Sequence, residues 1–127
     1  MTVDKSSLSE TDICTQFITP ALQQAGWDFS TQVRQEVNFT AGQILVQGKT
    51  VKRGDKKRAD YVLSYRENLR IGVVEAKDNT HTVGAGMQKA LSDAAPDALD
   101  LPFVFSSNGD GFLFHDKTAK PRTTPKS

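Results

Sequence analysis

The sequence predicts an α/β domain, and three stretches carry that prediction. Near the N-terminus Ile13, Phe17 and Ile18 recur at helical spacing. Residues 58–77 read as two β-strands joined by a tight polar turn, because both flanks are rich in Val, Ile, Leu and Tyr. Residues 85–95 favour helix again and precede two further apolar runs, residues 101–105 and 112–115. At 127 residues the chain is long enough for one proper core and too short for two. A charged fraction of 24% and a net charge of +1 create no global field toward nucleic acid, so any basic surface must be local.

Taken in order, Ser7-Leu8-Ser9-Glu10 matches a capping box, with Ser7 as N-cap and Glu10 reaching back to it. Pro20 stops or kinks the helix that follows, and Thr19-Pro20 can start a second one. That second piece turns Leu22 inward and ends at Gly26, a natural residue just past a helix end, with Trp27 next as a large anchor. From Thr31 to Phe39 the chain alternates, with Val33, Val37 and Phe39 in phase, as in a half-buried strand. Ala41-Gly42 suggests a turn and Ile44-Leu45-Val46 a short strand or loop anchor. Residues 78–86 form a loop in which His81 is a lone, solvated histidine or a ligand. In the helix after it, Met87, Leu91 and Ala94 or Ala95 face a core, and Pro96 ends it. Ser106 to Gly111 contains Asn108-Gly109, a hairpin signal between the last two strands. From residue 117 to 127 the chain is polar and basic without apolar anchors, so a globular unit over 1–116 and a disordered tail are expected. The single cysteine, Cys14, reads as a small buried hydrophobe, and the absence of an apolar run behind Met1 or of membrane-spanning length points to the cytoplasm.

The chemistry concentrates in the central hairpin. If its loop centres on Glu67-Asn68, residue i on the first strand faces residue 135−i on the second, which sets Asp60 opposite Glu75. Side chains alternate faces, so Lys77 shares the face of Glu75. Facing residues have Cβ atoms about 4.5–5.5 Å apart, where two like charges repel. A divalent cation would remove that repulsion, since hard cations take carboxylate oxygens. Blander readings exist: Asp60 starts a strand, and Glu75 pairs with Lys77 or Arg58 on a solvated face. Against them, Glu75 follows Ile71-Gly72-Val73-Val74, the kind of run that is buried on both faces, where a charge needs a partner. Glu10 likewise is either the capping-box acid or a carboxylate aimed at the acidic face of the hairpin. Between Lys49 and Arg58, six of ten residues are basic: Lys49, Lys52, Arg53, Lys56, Lys57 and Arg58. Such a run is by default a solvated loop, but a phosphodiester backbone needs both charge neutralisation along its length and a metal at one phosphate.

With these residues assembled, the hairpin resembles the PD-(D/E)xK nuclease core. Ser9-Glu10-Thr11-Asp12, Pro20-Ala21-Leu22 to Gly26-Trp27, Arg58-Ala59-Asp60-Tyr61-Val62-Leu63, Val74-Glu75-Ala76-Lys77 and Pro102 to Gly109 together resemble the amino-terminal domain of the restriction (R) subunit of type I restriction-modification enzymes, over residues 8 to 116. The resemblance implies a restriction-endonuclease-like core, a central mixed β-sheet flanked by helices, that hydrolyses double-stranded DNA with Mg²⁺. It implies Asp60 and Glu75 as metal ligands, Lys77 as the group that orients water and stabilises charge at the phosphate, and Glu10 as the first-helix acid. It also implies methylation and specificity subunits as partners. The family's QxxxY motif falls on residues 88–93, where Gln88 stands one place early and Lys89 and Asp93 occupy the glutamine and tyrosine positions. Gln88 is kept as a DNA-contact candidate. No GxxxxGK[ST] phosphate loop is present, so ATP belongs only to a motor-containing subunit and this chain is expected to be the nuclease domain alone. Two rivals are a catalytically impaired docking module on the same fold and a repair or junction-resolving nuclease.

Overall fold

The computed structural model describes residues 4–40, 43–44 and 57–118. The element order is α1 (Glu10–Ile13), α2 (Thr19–Gln24), β1 (Val33–Thr40), β2 (Gln43–Ile44), β3 (Lys57–Arg66), β4 (Leu69–Ala76), α3 (Met87–Asp93), β5 (Phe103–Ser107) and β6 (Phe112–Asp116). Six strands form one sheet in the order β2-β1-β3-β4-β5-β6. Only β4 and β5 run parallel, because α3 carries the chain across between them, and every other neighbouring pair is antiparallel. The sheet is therefore mixed, as the resemblance implies.

A core lies on each face. On one, Ile13, Ile18 and Leu22 pack against Val33, Tyr61, Leu63, Val74 and Ala76. On the other, α3 and the turns after it bring Ala90, Ala94, Leu99 and Leu101 onto Phe39, Ala59, Val62, Val73 and Val104. Truncating a fully buried residue such as Ile13 to Ala would cost about 2–5 kcal/mol through lost transfer energy and a cavity.

The N-terminal helix departs from the sequence reading in two respects. The cap is Ser9, not Ser7. Ser9 Oγ accepts the Asp12 N–H at 3.0 Å and the Ser9 N–H reaches Asp12 Oδ2 at 3.1 Å, a complete capping box two residues later than expected. Ser7 falls in a short 3₁₀ turn, Lys5–Ser7, capped by Asp4, and this frees the Glu10 side chain from any capping role. Pro20 does not stop the helical path; it sits in the first turn of α2, as expected, but the cap position falls on Ile18 rather than Thr19. A π-helical stretch, Cys14–Ile18, precedes it, and the Thr19 N–H bonds back to the Cys14 carbonyl. Proline has no N–H and its ring crowds the carbonyl four residues earlier, so a wider turn there lets the helix continue. The end is as predicted. Gly26, at φ +103°, closes the helix with its N–H on the Gln23 carbonyl while the Trp27 N–H takes the Leu22 carbonyl.

β1 begins at Val33 rather than Thr31, and its alternation breaks. Val33, Val37 and Phe39 are all buried, yet Val33 joins the core beside α1 and α2, whereas Val37 and Phe39 join the core beside α3. Between them Glu36 has φ +51°, and across the strand pair Ala59 and Tyr61 also serve opposite cores. The switch centres on Asp60. The helix expected over 85–95, here Met87–Asp93, and the final hairpin follow the sequence, except that Ser106 and Ser107 belong to β5 and are buried. β2 (Gln43–Ile44) takes in Ile44, while Leu45 and Val46 of that expected strand lie outside the described residues. Lys49, Lys52, Arg53 and Lys56, with the tail beyond residue 118, lie outside the described residues. Among the described residues no helix is long and apolar enough to cross a membrane.

The relocated cap is testable by urea denaturation. Ser9→Ala should cost about 1 kcal/mol, and the exposed Ser7→Ala should stay within about 0.5 kcal/mol of wild type. The reverse ranking would restore Ser7 as the cap.

Candidate active site

The hairpin register follows the predicted rule through its centre: Tyr61 pairs Val74, Val62 pairs Val73 and Leu63 pairs Gly72. A bulge shifts it only near the turn, at Ser64. Continued outward, the same register sets Asp60 against Glu75, but no backbone pair forms there. The Asp60 carboxylate takes the place of the ladder, accepting the Ala76 N–H on Oδ2 at 2.8 Å. Arg58 approaches Oδ1 at 3.7 Å from the solvent side. Glu75 is the more deeply buried acid, 2% exposed, and turns toward α3. Lys89 Nζ lies 3.2 Å from its Oε2, an ion-pair distance without hydrogen-bond geometry, and the Asp93 carboxyl hydrogen-bonds to it. Lys89 also reaches Asp93 Oδ2 at 2.9 Å.

The loop after β4 closes in tightly because Gly86 has no side chain. A Cβ there would meet Ser106 Oγ at 3.0 Å and the Glu75 Cβ at 3.4 Å. The buried Ser106 hydroxyl ties this loop to β5, accepting the Gly86 N–H and donating to the Val83 carbonyl. Asn108 and Asn79 hold its other half, with Asn108 Nδ2 on the His81 carbonyl and Asn79 Nδ2 on the Asn108 carbonyl. His81 itself is exposed and pairs with Asp78 at 3.0 Å.

Between α3, the end of the hairpin and the start of α1 lies an open cavity of about 500 Å³. Glu10, Asp60, Glu75 and Lys77 line it together with Lys57, Arg58 and Lys89. Burial, followed by repulsion from Asp60, raises the Glu10 pKa, while Lys77 and Arg58 pull it down. Burial pushes Glu75 up to about 10, helped by the Asp93 hydrogen bond and by the charge of Asp60. Burial alone would lower Lys89, but the Asp93 and Glu75 carboxyls outweigh it and hold its pKa above the usual ammonium value. Among the described residues no three His, Cys, Asp or Glu side chains form a ready metal cage.

No protein-family model matches the chain. It is 47% identical over 114 residues to the endonuclease subunit of the EcoAI type I restriction enzyme of Escherichia coli, an alignment that spans 90% of this chain and 14% of that protein. Its homologues are the endonuclease subunits of type I restriction enzymes. A solved structure, described as a fragment of an HsdR subunit of a type I restriction enzyme from Vibrio vulnificus YJ016, superposes with a TM-score of 0.71 at 40% identity over 87% of this chain and 21% of that one.

In this HsdR homologue the cavity thus collects all four acids and lysines read from the sequence, and adds Lys57 and Arg58 from the basic run. Gln88 is exposed and not among the residues lining the cavity, and its neighbour Lys89, itself half in solvent, takes that place through its reach to Glu75 and Asp93. Lys89 and Asp93 stand in the sequence reading only as replacements at the glutamine and tyrosine positions, not as partners of Glu75. Their signal was an i, i+4 Lys–Asp pair bracketing the buried Ala90 on an otherwise apolar helix face.

The raised Glu75 pKa predicts a stability profile. In the metal-free folded chain Glu75 stays protonated to about pH 10, whereas an unfolded glutamate ionises near ~4.3. The resulting stabilisation is complete below the unfolded value and is lost as pH rises toward the folded one. With chelator present, unfolding free energy should fall between pH 6 and pH 9 by up to about 1.4 kcal/mol per pH unit. Glu75→Gln, neutral throughout, should flatten the slope. An equal slope in that variant would assign the effect to another group.

Proposed function

We propose that the chain is a Mg²⁺-dependent DNA endonuclease domain of a type I restriction system, hydrolysing phosphodiester bonds of double-stranded DNA. The observation that carries this reading is the convergence of Asp60, Glu75, Lys77 and Glu10 in one cavity rimmed by cations. Asp60 and Glu75 fit a hard divalent ion, because each offers carboxylate oxygen at the cavity wall and Glu75 Oε2 is buried without a hydrogen bond. Two acids make an incomplete shell, so backbone carbonyls and water would supply the remainder. When bound, Mg²⁺ supplies charge neutralisation at the phosphate and a more acidic water.

The chain's own groups would do the rest. Glu75 gives up the proton that burial keeps on it, so ion uptake grows with pH. Lys77, with its backbone N–H fixed to the Ser107 carbonyl at 2.9 Å, presents its ammonium to the cavity and donates to the attacked phosphate and to the incoming water. Glu10, on the first turn of the helix and free of a capping role, can take a proton from that water or hold further water at the ion. Lys57 and Arg58, with the preceding Lys49, Lys52, Arg53 and Lys56, would track the phosphates on either side. The recognition sequence and cutting in full would depend on specificity and methylation subunits and on an ATP-driven motor in a longer subunit, all acting in the cytoplasm.

One observation favours a second reading, a docking module with a silent site: Glu75 is held by Lys89 and Asp93. Supercoiled plasmid separates the two. At modest salt and high protein concentration the chain should nick slowly with Mg²⁺ and not at all with chelator. Asp60→Ala and Lys77→Ala should each lose at least about a hundredfold of that activity. Nicking that survives in Asp60→Ala would discard the nuclease assignment, and absence of nicking in wild type would favour docking.

A further inference from the structure

Lys89 is held by the protein on three sides. Its ammonium donates to the Arg58 carbonyl at 2.5 Å and to Asp93 Oδ2 at 2.9 Å, and lies at ion-pair distance, 3.2 Å, from Glu75 Oε2. These partners come from β3, from α3 and from β4 respectively. One cation therefore ties together the two strands that carry Asp60 and Glu75 and fastens both to the helix above them. Asp60 is meanwhile engaged by the backbone of β4. The two acids are thus held by different partners.

The two ends of the Lys89–Asp93 pair differ in freedom. The Asp93 side chain is 2% exposed and fixed, whereas that of Lys89, already at the cavity edge, is 48% exposed and free to move away from the acids. Lys57, Arg58 and Lys77 line the same cavity, so a displaced Lys89 ammonium would add to its cations. A divalent ion taken up through Glu75 must share that carboxyl with an ammonium already 3.2 Å away or drive it off. The charges repel, and at such a distance the repulsion is strong in a partly buried site.

We propose that Lys89 is a resident latch: it holds the Glu75 carboxyl against α3 while no metal is bound, competes with the divalent ion for that carboxyl, and on release turns away from it to meet a DNA phosphate. This rests on the nuclease reading and adds to it a positioning residue that couples metal to DNA. The coupling is reciprocal: metal tightens DNA binding through Lys89, and DNA, by drawing Lys89 away, tightens metal. A lysine that served only to hold the fold would do the opposite, since its loss would loosen Glu75 and weaken the metal site.

The test is calorimetric titration of the intact chain with Ca²⁺, at fixed pH and without DNA. Wild type is compared with Lys89→Arg, Lys89→Gln, the charge-balanced pair Lys89→Gln/Asp93→Asn, and Asp60→Ala. Lys89→Arg should match wild type, and the charge-balanced pair should bind Ca²⁺ roughly tenfold tighter. Melting without metal checks that each variant is folded, and the double variant guards against a single change that leaves Asp93 buried alone. On a short duplex, the gain in affinity on adding Ca²⁺ should be large in wild type and shrink in both glutamine variants. Equal or weaker Ca²⁺ binding in both glutamine variants, with wild-type binding lost in Asp60→Ala, overturns the latch and leaves the nuclease reading standing. No Ca²⁺ binding by wild type removes both.

Discussion

A carboxyl group in the middle of a sheet, with almost no water contact, can persist only if it is neutral, hydrogen-bonded or matched by a cation, because an isolated buried charge is far too costly. Glu75 is that group here, and much of the domain can be read as its accommodation. α3 brings Lys89 and Asp93 over it, Gly86 lets the preceding loop approach its Cβ, and the hidden hydroxyl of Ser106 fixes that loop to the neighbouring strand. The parallel pairing of β4 with β5 follows from the same crossover, since the chain must leave β4 at Lys77, climb over the sheet as α3 and return. An apolar residue at position 75 would need none of this apparatus.

The opposite face is organised by Tyr61, the residue after Asp60. It is wholly buried, and its hydroxyl meets Thr19 Oγ1 at 2.8 Å and the Cys14 carbonyl at 3.2 Å. That carbonyl begins the π-helical stretch, so the same distortion that accommodates Pro20 offers an acceptor to the sheet. Pinned in this way, the helix holds its first turn, and with it Glu10, at the mouth of the acidic cavity. Burial pushes the Tyr61 phenol well above its usual range, against the Thr19 hydrogen bond that pulls it down, and burial likewise raises the Cys14 thiol to about 11, so neither group carries charge near neutrality.

How much of this was legible depended on whether the signal was local. The hairpin register was readable because a two-residue turn fixes a whole ladder, and from it came the meeting of Asp60, Glu75 and Lys77. The stop at Gly26 was readable because a left-handed residue after a helix is a backbone requirement. The cap was misplaced by two residues because Ser7 and Ser9 carry the same hydroxyl, and only the Asp12 carboxylate, matching Ser9, decides between them. The alternation of β1 failed at Glu36, whose left-handed conformation no pattern of apolar residues announces. Lys89 and Asp93 were invisible as partners of Glu75 because their contact spans the crossover, and only the path of the chain brings the helix over the strand.

That contact also bears on what the site is for. Where the resembled nucleases carry glutamine and tyrosine, this chain has lysine and aspartate, a change that adds one positive and one negative charge and so leaves the local net charge untouched. Stability gives little reason for it. Desolvating an ion pair costs about as much as the pair returns, and packed apolar residues of similar volume do as well or better. Asp93, buried beside an acid that already needs a partner, makes the balance worse without Lys89. The pair is therefore best understood through Glu75: Asp93 anchors the lysine, and the lysine, half in solvent, holds the acid. A merely silent site would be cheaper to build by replacing Glu75 itself. Keeping the acid buried and tethered by a movable cation preserves a carboxyl at the cavity wall, and the proposed nuclease reading rests on that retained carboxyl.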